Sequence, residues 1–160
     1  MERKGYTPQE AEDKMYERNY FGMMMVETGE ADAFITGLYT KYSNTIKVAN
    51  EVIGIREGYK HFGTMHLINS KKGILFVADT LINRHPDEEA LYDIARLSAE
   101  TARFFNRTPA IARLSYANVG TDTEGSAERM RHVIKRLDNE RPDVAIDGEM
   151  QLNFAMDKDL

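Results

Sequence analysis

The hydrophobic and polar positions near the start of the chain predict a short helix followed by an apolar segment. The four residues from Thr7 to Glu10 form a capping box, because the Thr7 hydroxyl and the Glu10 carboxylate can satisfy backbone donors at a helix start. Proline at the first helical position fits the same start. The apolar run from Tyr20 to Val26 follows and ends at Gly29, and its methionines are suited to filling a core.

The next stretch predicts a strand that leads into a helix. Residues 31–36, ADAFIT, have the pattern of a short buried strand. From Ser43 to Ile53 the apolar residues recur at helical spacing, and either Ser43 or Asn44 is placed to cap that helix.

The middle of the chain predicts a hairpin and then the longest helix. Two β-leaning runs, His61 to Ile68 and Ile74 to Asp79, are joined by a loop that ends in glycine. Pro86 and the three acidic residues after it predict a helix start, since acidic side chains favour the positive end of the helix dipole. Its inward face is expected to comprise Leu91, Ile94, Ala95, Ser98, Ala102 and Phe105.

The last third of the chain predicts a strand, a helix and a second strand. These elements are expected at Ala110 to Tyr116, Ser126 to Leu137 and Val144 to Asp147, with Met130, Val133, Ile134 and Leu137 facing inward. Strands that alternate with helices imply an α/β sandwich with a mostly parallel sheet. We predict a single domain over residues 1–160 that is truncated at its carboxyl end, because residues 149–160 offer no clear closing element.

Composition and charge exclude several classes of protein. The 160 residues are 42% hydrophobic and contain no cysteine, which rules out disulfides and thiolate metal sites and favours a cytoplasmic location. The formal charge of −5 comes from interspersed signs, which argues against nucleic acid as a partner. No apolar stretch approaches the ~20 residues of a membrane span, so we expect no membrane role.

Ligands of open α/β sheets sit at the carboxyl ends of strands, and the first such place is the predicted helix start after residue 36. Its backbone donors, together with Lys47, could meet a phosphate or a carboxylate. Ordinary capping with a solvated lysine explains the same pattern. The candidate ligand residues here are Ser43, Asn44, Thr45 and Lys47.

The second place follows the strand that begins at Ala110 and contains the candidates Ser115, Asn118 and Gly120. The spacing from Gly120 to Gly125 superficially resembles that of a phosphate loop, but Ser126 stands where the lysine should be, and Asp122 and Glu124 would repel phosphate, so we reject a nucleotide loop. A loop that packs beside a ligand and a simple turn both remain open.

The remaining polar clusters give weaker signals. Asp147 and Glu149 could serve acid–base or metal chemistry, although a polar turn or a subunit contact explains them equally well. The four histidines show no spacing typical of metal ligands. Asp79 is interpreted as a strand-end residue.

Taken together, five motifs in order and spacing resemble the phosphate acetyltransferase family over nearly the whole chain. They are Arg18 to Val26, Gly29 to Gly37, Leu75 to Thr80, Leu114 to Tyr116 and Ile146 to Gln151. Within that family, the amino-acid sequences of residues 19–26 and 42–47 are most similar to one kind of member. It is the transferase-like domain that follows the malic and NADP-binding domains in large bacterial malic enzymes.

The resemblance implies a three-layer fold related to isocitrate and isopropylmalate dehydrogenases, with this chain as an incomplete lobe, and homodimers or higher homo-oligomers. It implies a parent that converts malate to pyruvate and carbon dioxide, using NADP and Mg or Mn held in its other domains. No cofactor is expected within these 160 residues.

Three departures from the family pattern argue against acetyl transfer by this chain. The late Ser-Arg motif and an upstream arginine are missing, so the resemblance implies a domain truncated at both ends. Lys47 stands where the family has arginine. Lysine is a point charge without the two-pronged geometry of arginine, so it orients phosphate poorly. The resemblance then implies a regulatory and oligomerisation domain whose degenerate cleft senses acetyl-coenzyme A. A fragment of an active phosphate acetyltransferase and a dimer interface without ligand remain alternatives.

Overall fold

The computed structural model describes residues 5–71, 73–115 and 126–157. The chain forms two compact units, residues 1–57 and residues 58–160. The single-domain assignment over 1–160 therefore stays a prediction. Among the described residues, no helix combines the length and the apolar character that crossing a bilayer requires.

The described part of the first unit, residues 5–57, contains three helices: α1 (Pro8–Met15), α2 (Arg18–Glu27) and α3 (Tyr42–Val52). The predicted capping box is confirmed, since the Thr7 hydroxyl accepts a hydrogen bond from the Glu10 amide and the Thr7 amide donates to the Glu10 carboxylate at 2.8 Å. The core of this unit is formed by Tyr20, Met23 and Val48, flanked by Phe34, Ala49 and Val52.

Two sequence predictions in this unit are wrong. Residues 31–36 form no strand and are mostly exposed, because the described part of the unit offers no other strand to pair with. The Phe34 ring instead packs against Gly22 of α2, where an added Cβ would collide with it. The N-cap of α3 is Lys41, without a side-chain hydrogen bond, so Ser43 and Asn44 lie inside the helix.

The second unit begins with the predicted hairpin. Strands β1 (Met65–Ser70) and β2 (Gly73–Ala78) pair antiparallel, from Met65 opposite Ala78 to Ser70 opposite Gly73. Residues 61–64 were expected in the first strand but precede it, because the Asp93 carboxylate binds the amides of Lys60 and His61.

The rest of this unit is an α/β arrangement. Its elements are α4 (Glu88–Phe104), β3 (Ala110–Leu114), α5 (Ser126–Glu140), β4 (Ala145–Met150) and α6 (Leu152–Met156). Strands β3 and β4 pair in parallel, which confirms an α/β fold with a small parallel sheet. Strands β1 and β2 form a separate two-stranded antiparallel sheet, so the described strands do not make up one mostly parallel sheet. The short helix α6 follows the last strand where no element was expected.

Helices α4 and α5 cover the parallel pair. The N-cap of α4 is Asp87, whose carboxylate accepts from the Ala90 amide at 2.8 Å, so the helix begins after Pro86 and its first acidic neighbour. The core of this unit joins Tyr92, Ala95, Val133 and Leu137 to Leu91, Ile111 and Ile146. Phe105 was expected to face inward but is 44% exposed, because α4 ends before it.

Candidate functional site

The first two turns of α3 carry four predicted ligand residues. Ser43, Asn44 and Lys47 are exposed, and Thr45 is half-buried. The amides of Asn44 and Thr45 donate to the Lys41 carbonyl at 2.9 and 3.2 Å. No side chain caps this helix start, so its positive dipole end is open to an anion.

The side chains of this turn supply hydrogen-bonding groups beside the backbone donors. Asn44 Nδ2 donates to the Thr40 hydroxyl at 3.2 Å. Thr45 Oγ1 is buried and has no hydrogen-bond partner in the described part of the chain. The turn thus combines hydroxyl, amide and ammonium groups, a set suited to an anionic ligand.

Lys47 supplies the positive charge of this candidate site, and its ammonium is only weakly held. Its side chain is 69% exposed, and its Nζ lies 3.9 Å from Glu51 Oε1, one helical turn further on. Glu51 has a closer ammonium in Lys14, at 3.4 Å from Oε2. Two ammonium groups therefore share one carboxylate, and the more exposed Lys47 is available to a ligand.

Glu51 is held by tyrosine hydroxyls as well as by lysine. Tyr20 donates to Glu51 Oε2, and Tyr6 donates to the same atom at 3.3 Å. The bond from Tyr20 holds the pKa of Glu51 below its usual value, with the nearby Lys14 acting in the same direction. The Lys14 ammonium also lies over the rings of Tyr6 and Tyr20, and its hydrogen bond to Tyr20 raises its own pKa. This cluster ties α1 and α2 to α3.

The carboxyl ends of β3 and β4 form the second candidate place. The Ser115 amide donates to the Met150 carbonyl at 2.9 Å, which joins the two strand ends. Ser115 is half-buried. Asp147 is exposed and lies within β4, where its Oδ1 accepts from the Gly148 amide at 2.7 Å, so it is part of a strand and not of a polar turn. Of the other candidates at this place, Asn118 and Gly120 lie outside the described residues.

Two charged residues at these strand ends are buried, which the sequence reasoning did not predict, and the first of them was not among its candidates. Arg113 is 8% exposed, donates to the Leu91 carbonyl at 3.3 Å, and has its pKa lowered by burial to about 10. Glu149 is 2% exposed. The available signal was the position of each residue next to a strand end, but strand alternation did not predict their burial.

The four predicted residues of α3 lie in the first unit, whereas Ser115 lies in the second. Each set is therefore a site candidate by itself.

Other polar side chains of the second unit form hydrogen bonds to groups within the fold. Asp79 accepts from the Asn83 amide at 2.8 Å and from the Thr64 hydroxyl, as expected of a strand-end residue. His61 Nδ1 lies 3.1 Å from the buried Asp93 carboxylate. Within the described ranges, no three His, Asp or Glu side chains are grouped to hold a metal ion.

The comparisons with known proteins agree with the predicted resemblance. A family model described as phosphate acetyl/butaryl transferase matches residues 1–160. The chain is 38% identical to the NADP-dependent malic enzyme of Salmonella typhimurium over 157 residues, which cover 98% of this chain and 21% of that protein. It is 30% identical to the phosphate acetyltransferase of Nitratidesulfovibrio vulgaris over 158 residues, which cover 99% of this chain and 22% of that protein.

A solved structure shows the same likeness in three dimensions. A phosphotransacetylase from Streptococcus pyogenes superimposes with a TM-score of 0.84 at 30% identity, covering 98% of this chain and 49% of that one. The chain spans about a fifth of the two curated relatives and about half of this structure.

Proposed function

We propose that this chain, which belongs to the phosphate acetyl/butaryl transferase family, is a regulatory and oligomerisation domain of an NADP-dependent malic enzyme. The likeness to malic enzymes over 98% of the chain supports such a parent. That parent would decarboxylate malate oxidatively to pyruvate, with NADP and a divalent metal bound by its other domains. The proposal includes a three-layer, isocitrate dehydrogenase-like fold for the complete domain, homodimers built through it, and a cytoplasmic location.

The observation that supports the regulatory assignment is the position and exposure of the Lys47 side chain. It lies in the second turn of a helix whose start has no side-chain cap, is 69% exposed, and shares the Glu51 carboxylate with Lys14. A lysine here attracts an anion without fixing its orientation, whereas arginine would grip a phosphoryl group with two donors. Attraction without orientation suits the binding of an effector better than it suits transfer of an acyl group.

The effector that we propose is acetyl-coenzyme A. Its phosphates match the open helix start and the Lys47 ammonium. The hydroxyl and amide groups of Ser43, Asn44 and Thr45 supply further donors on the same turn. Sensing of this molecule would let the parent respond to acetyl-group supply.

A second candidate is a portion of an active phosphate acetyltransferase. The 30% identity to the enzyme of Nitratidesulfovibrio vulgaris over 99% of the chain favours it. In that case the chain would belong to a protein that transfers acetyl between coenzyme A and phosphate. Lys47 argues against this candidate for the orientation reason given above.

The test is calorimetric titration of acetyl-coenzyme A into the 160-residue chain and its Lys47→Ala variant. Removing a ligand-facing ammonium is expected to weaken binding about tenfold, as for a lost hydrogen bond to a charged group. Lys60→Ala is the matched control, because Lys60 is 75% exposed and lies 3.5 Å from Glu89 in a comparable surface pair.

Saturable binding that Lys47→Ala weakens and Lys60→Ala leaves unchanged would support the effector site at α3. An equal loss of affinity for acetyl-coenzyme A in both variants would mean that only the net charge of the chain attracts the effector. Absence of binding by a folded wild-type chain would refute the regulatory assignment and leave assembly as its role. Acetyl transfer from acetyl phosphate to coenzyme A by the purified chain would favour the second candidate.

A further inference from the structure

The second unit contains an open cleft with a volume of about 280 Å³. Its polar lining consists of His61, Asn83, Arg84, His85 and Asp87. Pockets that take drug-sized ligands begin at about 300 Å³, so this cleft has the size for a smaller molecule. The polar lining indicates that such a molecule would itself be polar.

Hydrogen bonds hold the two segments that form this cleft. The Asn83 amide donates to Asp79 Oδ2 at 2.8 Å, and Asn83 Nδ2 donates to the Phe62 carbonyl at 2.8 Å. These bonds join the segment after the β1–β2 hairpin to the segment before it. The cleft is therefore formed without a ligand, and binding would require little ordering of the chain.

A buried carboxylate fixes the orientation of the His61 ring. His61 Nδ1 lies 3.1 Å from Asp93 Oδ2, and the Asp93 side chain is 5% exposed. The same oxygen accepts from the backbone amides of Lys60 and His61. Because a carboxylate only accepts, the neutral imidazole directs its Nδ1 proton at Asp93 and keeps an acceptor lone pair on Nε2. His61 can therefore offer the cleft an acceptor, which a ligand hydroxyl would satisfy.

Arg84 provides the positive charge of the cleft. Arg84 and His85 are exposed, and neither has a hydrogen-bond or ion-pair partner within the described ranges. A guanidinium offers two parallel donors that match a carboxylate. Asp87 also lines the cleft, but its Oδ1 caps α4 by accepting from the Ala90 amide at 2.8 Å. Its negative charge disfavours an anion at the helix start, so a ligand carboxylate is favoured beside Arg84.

We propose that this cleft binds a small hydroxycarboxylate. Its carboxylate pairs with the Arg84 guanidinium, and its hydroxyl donates to Nε2 of His61. Asp93 is then a positioning residue, since it acts on the ligand only through the His61 ring. The site goes beyond the proposed function, because it lies in the second unit and involves neither α3 nor acetyl-coenzyme A.

The test titrates the 160-residue chain with malate and with succinate, two dicarboxylates that differ by a single hydroxyl. Calorimetry should show malate binding about fivefold more tightly, as for one neutral hydrogen bond. The nitrogen-15 resonance of His61 Nε2 should move with malate and stay in place with succinate. Equal affinities, or a resonance that stays constant at saturating malate, would overturn the inference. So would the absence of malate binding by a folded wild-type chain.

His61→Asn separates the ligand role of this residue from its structural one. The asparagine amide can donate to Asp93 in place of Nδ1, but it has no group in place of Nε2. Malate affinity should therefore fall about fivefold, to that of succinate, while succinate affinity stays unchanged. A variant that binds malate as the wild type does would overturn the role of Nε2. If the variant fails to fold, the Nε2 resonance of the wild type decides the question.

Arg84→Gln tests the carboxylate contact, with Arg107→Gln as the control. Arg107 is an exposed arginine of the same unit that does not line the cleft. Arg84→Gln should weaken both titrants about tenfold, as for a lost hydrogen bond to a charged group, and Arg107→Gln should weaken neither. Equal losses in the two variants would overturn the site, because net charge alone would explain them. Tighter binding of inorganic phosphate than of malate would overturn the hydroxycarboxylate assignment.

Discussion

Replacing Gly148 by alanine is expected to destabilise the second unit more than any ordinary glycine substitution. The new Cβ would lie 2.5 Å from the Arg113 carbonyl oxygen and 2.9 Å from the Arg113 Cβ. Neither atom is the flexible end of a side chain, so the parallel strands must separate. The φ of +127° adds strain for any residue with a Cβ.

The magnitude follows from two separable costs. Holding an alanine at this φ costs about 1–3 kcal/mol. Forcing the strands apart adds about 1–3 kcal/mol, the usual penalty of overpacking. Gly148→Ala should therefore lower the free energy of unfolding by about 2–6 kcal/mol.

Gly73→Ala is the matched control for this prediction. Gly73 has a φ of +124°, and an added Cβ there would meet no atom within 4 Å. The two variants share the backbone strain and the entropic effect of alanine on the unfolded chain. Their difference isolates the contact with Arg113.

The assay is urea denaturation followed by circular dichroism, with the free energy of unfolding obtained by linear extrapolation. We expect Gly148→Ala to be the less stable of the two by about 1–3 kcal/mol. Equal losses in both variants would refute the reasoning, because they would mean that the strand contact contributes nothing beyond the φ strain.

Three further substitutions test the core of the second unit and the charge cluster around Glu51. Leu137→Ala, at a side chain that is 1% exposed, should cost about 2–5 kcal/mol in the same urea assay. Leu152→Ala, at a helical leucine that is 57% exposed, should cost under about 0.5 kcal/mol, and similar costs for both would contradict the assigned core. Tyr20→Phe removes the donor that holds the pKa of Glu51 low. A depressed carboxyl pKa stabilises the fold above its unfolded-state value and loses that effect as the pH falls through the folded-state value. The variant should therefore lose about 1 kcal/mol near neutral pH and less near about pH 3, as urea melts at both pH values would show, and a pH-independent loss would refute the linkage.

Local signals in the sequence predicted most of the helices and strands. The capping box at Thr7, the hairpin before Asp79 and the strands on either side of α5 are confirmed, because each depends on neighbouring residues alone. The predicted boundaries of the elements were less accurate where a residue far away in the sequence binds the backbone. Residues 61–64 were predicted in a strand, but the carboxylate of Asp93 binds the backbone where that strand was expected to begin.

The candidate site at α3 also has features that the sequence predicted and features that it could not predict. Spacing along one helix was enough to group Ser43, Asn44, Thr45 and Lys47 on the first turns of α3. It could not show that Lys41 is the N-cap, or that Lys14 and Lys47 share Glu51, because the carboxylate and Lys14 come from different helices. The availability of Lys47 is a tertiary property.

The sequence by itself determined the family, the types of most elements and the residues of the α3 turn, because these depend on short motifs and on periodicity. Only the tertiary structure decided that residues 31–36 form no strand and that Glu149 sits in a bulge. Both outcomes depend on which strand lies alongside, and strand pairing is a contact between residues far apart in the chain. Burial of Arg113 and Glu149 is decided in the same way, by the elements packed around them, so no local pattern encodes it.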